Sequence, residues 1–410
     1  MVDDERDADS SEPTERWEQV PAGFLDGSPP VFGPRPTRRR GVVAGWSAAA
    51  VALVALVAMA AFVHVSANRS FDAATAALQS AVSDVGDVAG ALVLDADDAA
   101  RVVAASEAIT GAAADDLVDA AARADFAHAA SVLQAAVEAA ERPLDAVVPA
   151  GPPMKPLWTW ELTAKTSRLE TTTADLTQLA AELESAGVTI DRAAAALIDA
   201  SHALYASVAP AAAAIEAANV AARHVAVLDF RDAGAAAAQQ TKVGSPAADA
   251  FATYAEKAAA IKASAQAELA EKAGPLLATR LEIEAFARSI AGGVVLDFDW
   301  APFVNGIGGA YGMSGTAWWD HLRGGYSTIT LSDSVAENWP SADAQALVVH
   351  EVGHAITAKC GDMFDSSNRT SNEQWATAWA ISMGHTAVGN GVQAYGYPPA
   401  DLIETAAGCR

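Results

Sequence analysis

Cysteine is nearly missing from this chain: 410 residues carry two, Cys360 and Cys409. Two cysteines cannot frame a disulfide-stapled fold, though they can form one bridge in an oxidising compartment. Basic side chains are also scarce, 26 against 51 acidic ones, which leaves a net charge of −25. That balance excludes binding of nucleic acid through a broad basic surface. Aromatic residues make up 7% and histidines number eight. Alanine dominates a long middle region, and it is the strongest intrinsic helix former, so a largely helical protein is expected.

Residues 1–40 are rich in Asp, Glu, Pro, Ser and Gly, a composition that cannot bury enough apolar surface to offset chain entropy. They are read as a disordered cytoplasmic tail. Arg35, Arg38, Arg39 and Arg40 then precede an uncharged run over 41–67 that includes Val51, Leu53, Val54, Leu56, Val57, Met59, Phe62 and Val63. About 20 apolar residues cross the hydrocarbon core, so the run is long enough to be a transmembrane helix. The arginines put the N-terminus in the cytoplasm and residues 68–410 outside, in a single-pass cell-membrane topology. A cleaved signal peptide is the rival, with Val65-Ser66-Ala67 as a small-residue cleavage site; its leader and apolar core would both be too long. A buried helix of a soluble protein is the third reading, and the flanking arginines argue against it.

Residues 68–291 are read as an extracytoplasmic helical bundle or coiled-coil stalk. Leu162, Leu169, Leu176, Leu183, Ile190, Leu197 and Leu204 recur every seventh residue, with Thr166, Thr173, Ala180, Gly187, Ala194, Ser201 and Val208 four residues after each. A sustained heptad favours coiled-coil packing, and an unbroken helix from Trp158 to Ala209 would be roughly 75 Å long. Gly187-Val188-Thr189 is a candidate interruption. Leu78, Val82, Val85 and Leu92 repeat the spacing more weakly. A linker is expected over Pro143–Pro156, with further stops or starts at Pro210, Ser245-Pro246 and Gly274-Pro275. The helices are expected to run antiparallel, as a spacer or scaffold, with a partner-binding, self-associating or autoinhibitory module as the alternative. His128, His202 and His224 stand apart, without ligand spacing.

Composition changes after Gly292-Gly293, and 292–410 is read as a small α+β domain. Strands are expected at Val294–Phe298 and Tyr326–Leu331, and a helix from Ser341. That helix carries His350-Glu351-Val352-Gly353-His354, an H-E-x-x-H motif. Residues i and i+4 share a helix face, so both imidazoles can point at one metal, with Glu351 beside them to reach a bound water. Catalytic zinc needs a third protein ligand. A histidine six residues past His354 would require Gly at 357 and His at 360, where Thr357 and Cys360 stand. A second helix, Asn372–Ala380, offers Glu373 instead.

With these residues the chain resembles the gluzincin peptidases, the thermolysin-like branch with two histidines and one glutamate. Asn372, Glu373 and Ala376 match the second-helix pattern, and Thr377 departs from it where the family has an Asp that orients a ligand histidine. The resemblance covers about 295–410. It implies zinc held by His350, His354 and Glu373, with Glu351 as general base in peptide hydrolysis. It also calls for a donor to the transition-state oxyanion: His385 first, then Tyr395, Tyr397, Tyr326 and His321. Ile329-Thr330-Leu331 is expected as the edge strand that an extended peptide pairs with. A Cys360–Cys409 bridge would pin the C-terminus beside the zinc helix; Cys360 as a metal ligand is the alternative. The fold class expected for the whole chain is therefore mainly α with a small, zincin-like α+β domain. The rival function is a helical structural or partner-binding membrane protein with an inactive domain of this type; a hydrolase of non-peptide amides is a third.

Overall fold

A computed structural model describes residues 40–114 and 116–410, with side chains from Ala48 onward. The expected disordered tail and the arginines before residue 40 lie outside the described residues. The chain divides into two units between Ala67 and Asn68.

Alanine-rich sequence produces long helices. The first, α1, runs Arg40–Ala112. Within it lies a stretch of mean hydropathy 2.5, wholly exposed and long and apolar enough to cross a membrane. In the second unit the rest of α1 is followed by α2 (Ala120–Leu144) and α3 (Thr159–Ala218). The heptad leucines of α3 are all buried, as are Leu78, Val85 and Leu92 of α1. Small seam residues allow close approach: a Cβ at Gly187 would be 3.9 Å from Leu92 Cδ1.

Lys155, just before α3, bonds Asp72 at 2.6 Å, and the backbone N–H of Asp119 donates to Ser207 Oγ at 3.1 Å. The start of α3 thus meets the early turns of the bundle part of α1, and its later turns meet the start of α2. So α1 and α3 run the same way, and only α2 is antiparallel to them. Three expectations need correction. The helix continues through Gly187-Val188-Thr189 and Pro210 lies inside α3, held by Val208 and Ile215 buried on either side of it. Interior proline costs about 3 kcal/mol, which tertiary packing can offset. Pro143 belongs to the last turn of α2, so the linker starts later.

Next come α4 (His224–Ala238), α5 (Ser245–Glu271) and α6 (Leu277–Ile290). Ser245 is the first residue of α5, with Gly244 as its cap. Ring contacts Tyr205–Phe251 and Phe230–Tyr254 hold α3, α4 and α5 together.

The C-terminal region contains a three-stranded sheet of β1 (Val295–Ala301), β2 (Gly315–Asp320) and β3 (Tyr326–Ser332), ordered β1-β3-β2. β3 pairs parallel with β1 and antiparallel with β2. Ile329–Leu331 is therefore central, not the edge. The edge beside the site is β2, a strand the sequence pattern does not announce, because Thr-Ala-Trp-Trp is short and begins at a glycine. The helices α7 (Asp333–Glu337), α8 (Ala342–Ala355), α9 (Thr357–Cys360), α10 (Arg369–Ser382), α11 (Val392–Tyr395) and α12 (Ala400–Ala407) complete the fold. Its core joins Phe298, Ile329 and Leu331 of the sheet to Val348, Val349 and Val352 of α8 and to Trp375 and Trp379 of α10. Ile283 and Ala287 of α6 belong to the same core, ahead of the compositional change at Gly292. A disulfide joins Cys360 to Cys409.

Polar ties link the helical region to the sheet. The ring Nδ1 of His224, at the start of α4, is 2.7 Å from Asp297 Oδ2, and its backbone N–H donates to the same oxygen. Lys272 is buried against Glu284 at 3.0 Å, and Trp300 Nε1 donates to Glu284 Oε1. His224, read above as an isolated residue, thus carries a hydrogen bond to a buried carboxylate.

Candidate metal centre

Ser341 caps α8, its hydroxyl accepting from the Ala344 N–H at 3.3 Å. The helix is buried from Ala346 through Ala355. A buried helix of this kind can carry polar side chains only if they face one another or a ligand. His350 and His354 sit one turn apart, ring centroids 4.8 Å from each other. Gly353 lies on the side facing α10, where a Cβ would come within 2.8 Å of Ala376 Cα. Glycine therefore lets the two helices approach closely enough for Glu373, one turn earlier on α10, to reach both histidines. Asn368 caps α10 by accepting from the Ser371 N–H, so the helix starts three residues before Asn372.

Glu373 Oε2 is 3.3 Å from His350 Nε2 and 3.2 Å from His354 Nε2. One ligand atom from each residue lies within 4.8 Å of the others. Burial pushes the Glu373 carboxyl up, but hydrogen bonds and charge from the two imidazoles outweigh it and hold the group well below the usual range. Burial likewise works against charge on His350, and Glu373, the Glu351 charge and the Asn390 carbonyl reverse that, raising its pKa. The cluster is thus built around positive charge. Two imidazole nitrogens and one carboxylate oxygen are a donor set that fits Zn²⁺.

The orientation of His350 is set from behind. Its Nδ1–H donates to the carbonyl of Asn390 at 2.9 Å, which turns Nε2 toward the cluster. Asn390 is buried and bonded at both ends of its side-chain amide: the nitrogen donates to the His385 carbonyl, and its Oδ1 accepts from the Val392 N–H. Glycines flank it. A Cβ at Gly389 would strike the Asp343 carbonyl at 2.0 Å, and one at Gly391 would lie 2.8 Å from His350 Cε1. Thr377 donates instead to the Glu373 carbonyl at 2.8 Å, its Oγ1 lying 3.4 Å from His350 Nδ1. A backbone carbonyl, and not the Thr377 side chain, is thus the acceptor that orients His350.

Glu351 is buried, and its Oε2 has no hydrogen-bond partner among the described residues. Burial raises its pKa, while the histidines pull it down. Strand β2 crosses it: a Cβ at Gly315 would be 2.6 Å from Glu351 Oε1. Trp319 of the same strand stacks on the His354 ring, centroids 5.8 Å apart.

No family model matches the chain, and comparison with curated proteins and with solved structures finds no match.

Of the five donor candidates, Tyr395 is the one beside the cluster. Its ring stacks on His350 at 6.0 Å, and burial, together with the nearby Glu373 charge, raises the phenol pKa. The ring of His385 instead packs edge-on against Phe286 of α6, and burial lowers its pKa. Tyr326 stacks on His224, whereas Tyr397 and His321 are exposed. Sequence reasoning ranked His385 above Tyr395 and missed Gly315, Trp319, Asn390 and Gly391. The Gly389-Asn390-Gly391 run was the available signal, since two glycines around one polar residue mark a tight backbone approach.

Proposed function

We propose that this protein is a membrane-anchored zinc peptidase of the gluzincin type, acting outside the cell. The observation that carries the reading is the convergence of His350, His354 and Glu373 beside a buried glutamate with a free oxygen. Zinc, when bound, lowers the pKa of a water and polarises a carbonyl. Glu351 Oε2 takes the proton from the attacking water as its oxygen bonds to the scissile carbonyl carbon. That proton then passes to the amine nitrogen as the C–N bond breaks. In this reading the Tyr395 hydroxyl, beside His350, donates to the oxyanion that forms in between. Strand β2 has a free edge among the described residues, onto which an extended peptide can add as a further strand. Residues 41–67 serve as the membrane anchor, the N-terminus being cytoplasmic and the zincin-like domain extracytoplasmic. The Cys360–Cys409 bridge accords with an oxidising compartment.

The test is zinc content of the purified protein together with peptide cleavage. Wild type should hold about one zinc per chain. Glu373→Ala should lose it, and Glu351→Gln should keep it while cleavage drops by at least about 10²-fold. A zinc-free wild type would leave the rival, an inactive domain on a structural or partner-binding helical protein, as the better account.

A further inference from the structure

The connection between α2 and α3 carries large apolar side chains that none of the described residues covers. Val147 is 94% exposed, Met154 89% and Leu157 84%, while Trp158 and Trp160 are more than half exposed. The two indoles stack on each other, centroids 5.1 Å apart and nearly parallel. Pro149, Pro152, Pro153 and Pro156 stiffen the segment. It is also pinned: Lys165 Nζ donates to the Met154 carbonyl at 3.2 Å, and Lys155 Nζ both bonds Asp72 and lies over the Phe71 ring. The apolar side chains are therefore held in place while facing outward.

Burying such a patch is favourable, and its partner is indicated by where it is pinned. Asp72 and Phe71 follow the end of the apolar run at Ala67 by only five and four residues. Paired tryptophans with nearby lysines are the composition of a bilayer's interfacial zone, where indole rings sit at headgroup level and lysine stems snorkel. We infer that the α2–α3 connection is a second membrane contact, its Trp158–Trp160 pair and neighbouring aliphatic side chains inserting into the interface of the leaflet that α1 leaves. The inference rests on reading the apolar run of α1 as a membrane span. The net charge of −25 gives no attraction to anionic lipid, so the contact is apolar and should depend little on salt.

The test uses the full chain in phosphatidylcholine vesicles, with brominated acyl chains as a collisional quencher of tryptophan emission. Trp46, inside the apolar run, reports the span, and Trp158 and Trp160 report the patch. Trp158→Phe/Trp160→Phe keeps the patch apolar and removes its emission. It should abolish about two-thirds of the bromolipid-quenchable signal, and Trp46→Phe about one-third, if the three indoles emit comparably. An unchanged quenchable signal in the double variant, with the Trp46→Phe loss intact, overturns the inference while leaving the anchor standing. It would assign the patch to a protein partner. No quenching in wild type overturns both.

Discussion

Gly391→Ala should weaken metal binding without replacing any proposed ligand. Gly391 has φ +91°, a conformation that costs an L-residue about 1–2 kcal/mol. Its new Cβ would lie 2.8 Å from His350 Cε1, 2.9 Å from Nδ1 and 2.8 Å from Thr377 Oγ1. Ordinary carbon contacts need about 3.5 Å, so ring or loop must yield by about 0.7 Å. Either movement lengthens the 2.9 Å bond from His350 Nδ1 to the Asn390 carbonyl. Loss of such an orienting bond typically lowers metal affinity about 10- to 100-fold. Competition with a chromophoric chelator reads the zinc Kd directly, and thermal melts with and without zinc separate lost affinity from lost packing. Thr377→Val is the matched control: it removes the hydroxyl, leaves the Asn390 contact intact and should change the Kd by less than about threefold. The reasoning fails if Gly391→Ala melts earlier but binds zinc with wild-type affinity, or if Thr377→Val is the variant that loses metal.

Two further outcomes follow from the contacts around the sheet. Burial pushes the Asp297 carboxyl up, but the ring and backbone N–H groups of His224 on its Oδ2 overcome that and depress its pKa. A depressed carboxylate contributes stability above its unfolded value of about 3.9, and the contribution is lost as pH falls through the lower folded value. His224→Asn should therefore move the acid-unfolding midpoint, followed by circular dichroism, to higher pH and cost about 1–3 kcal/mol at neutrality; an unmoved midpoint counts against the pairing. The Cys360–Cys409 bridge closes a 49-residue separation, for which chain entropy gives about 4 kcal/mol. Reduction should lower the melting temperature measurably, and an identical melt in reductant would show that the bridge adds nothing.

Local patterns carried much of this arrangement. The heptad of α3 needs only side-chain periodicity to be recognised, and all seven of its large residues are buried. Likewise His350 and His354 share a face by helix geometry alone, and Glu373 lies two helices later, on α10, at a distance the structure shows is short. What sequence did not reveal depends on neighbours distant in the chain. Whether Ile329–Leu331 is edge or centre is decided by β2, a strand too short to stand out. Pro210 stays helical because Val208 and Ile215 on either side of it are packed into the bundle, which the local sequence does not encode. Ranking His385 above Tyr395 turned on loop geometry set by Gly391 and Asn390, whose contacts lie 40 residues from the helix they support.

The α6 helix also decides where this protein can be cut. A fragment starting at the compositional boundary near Gly292 would discard Ile283 and Ala287 and open a wound in the hydrophobic interior behind β1 and α8. It would also strip Asp297 of His224 and Trp300 of Glu284. Any portable version of the region around His350, His354 and Glu373 must therefore bring along the last helices of the preceding region, so the two regions can only be inherited, expressed or swapped together.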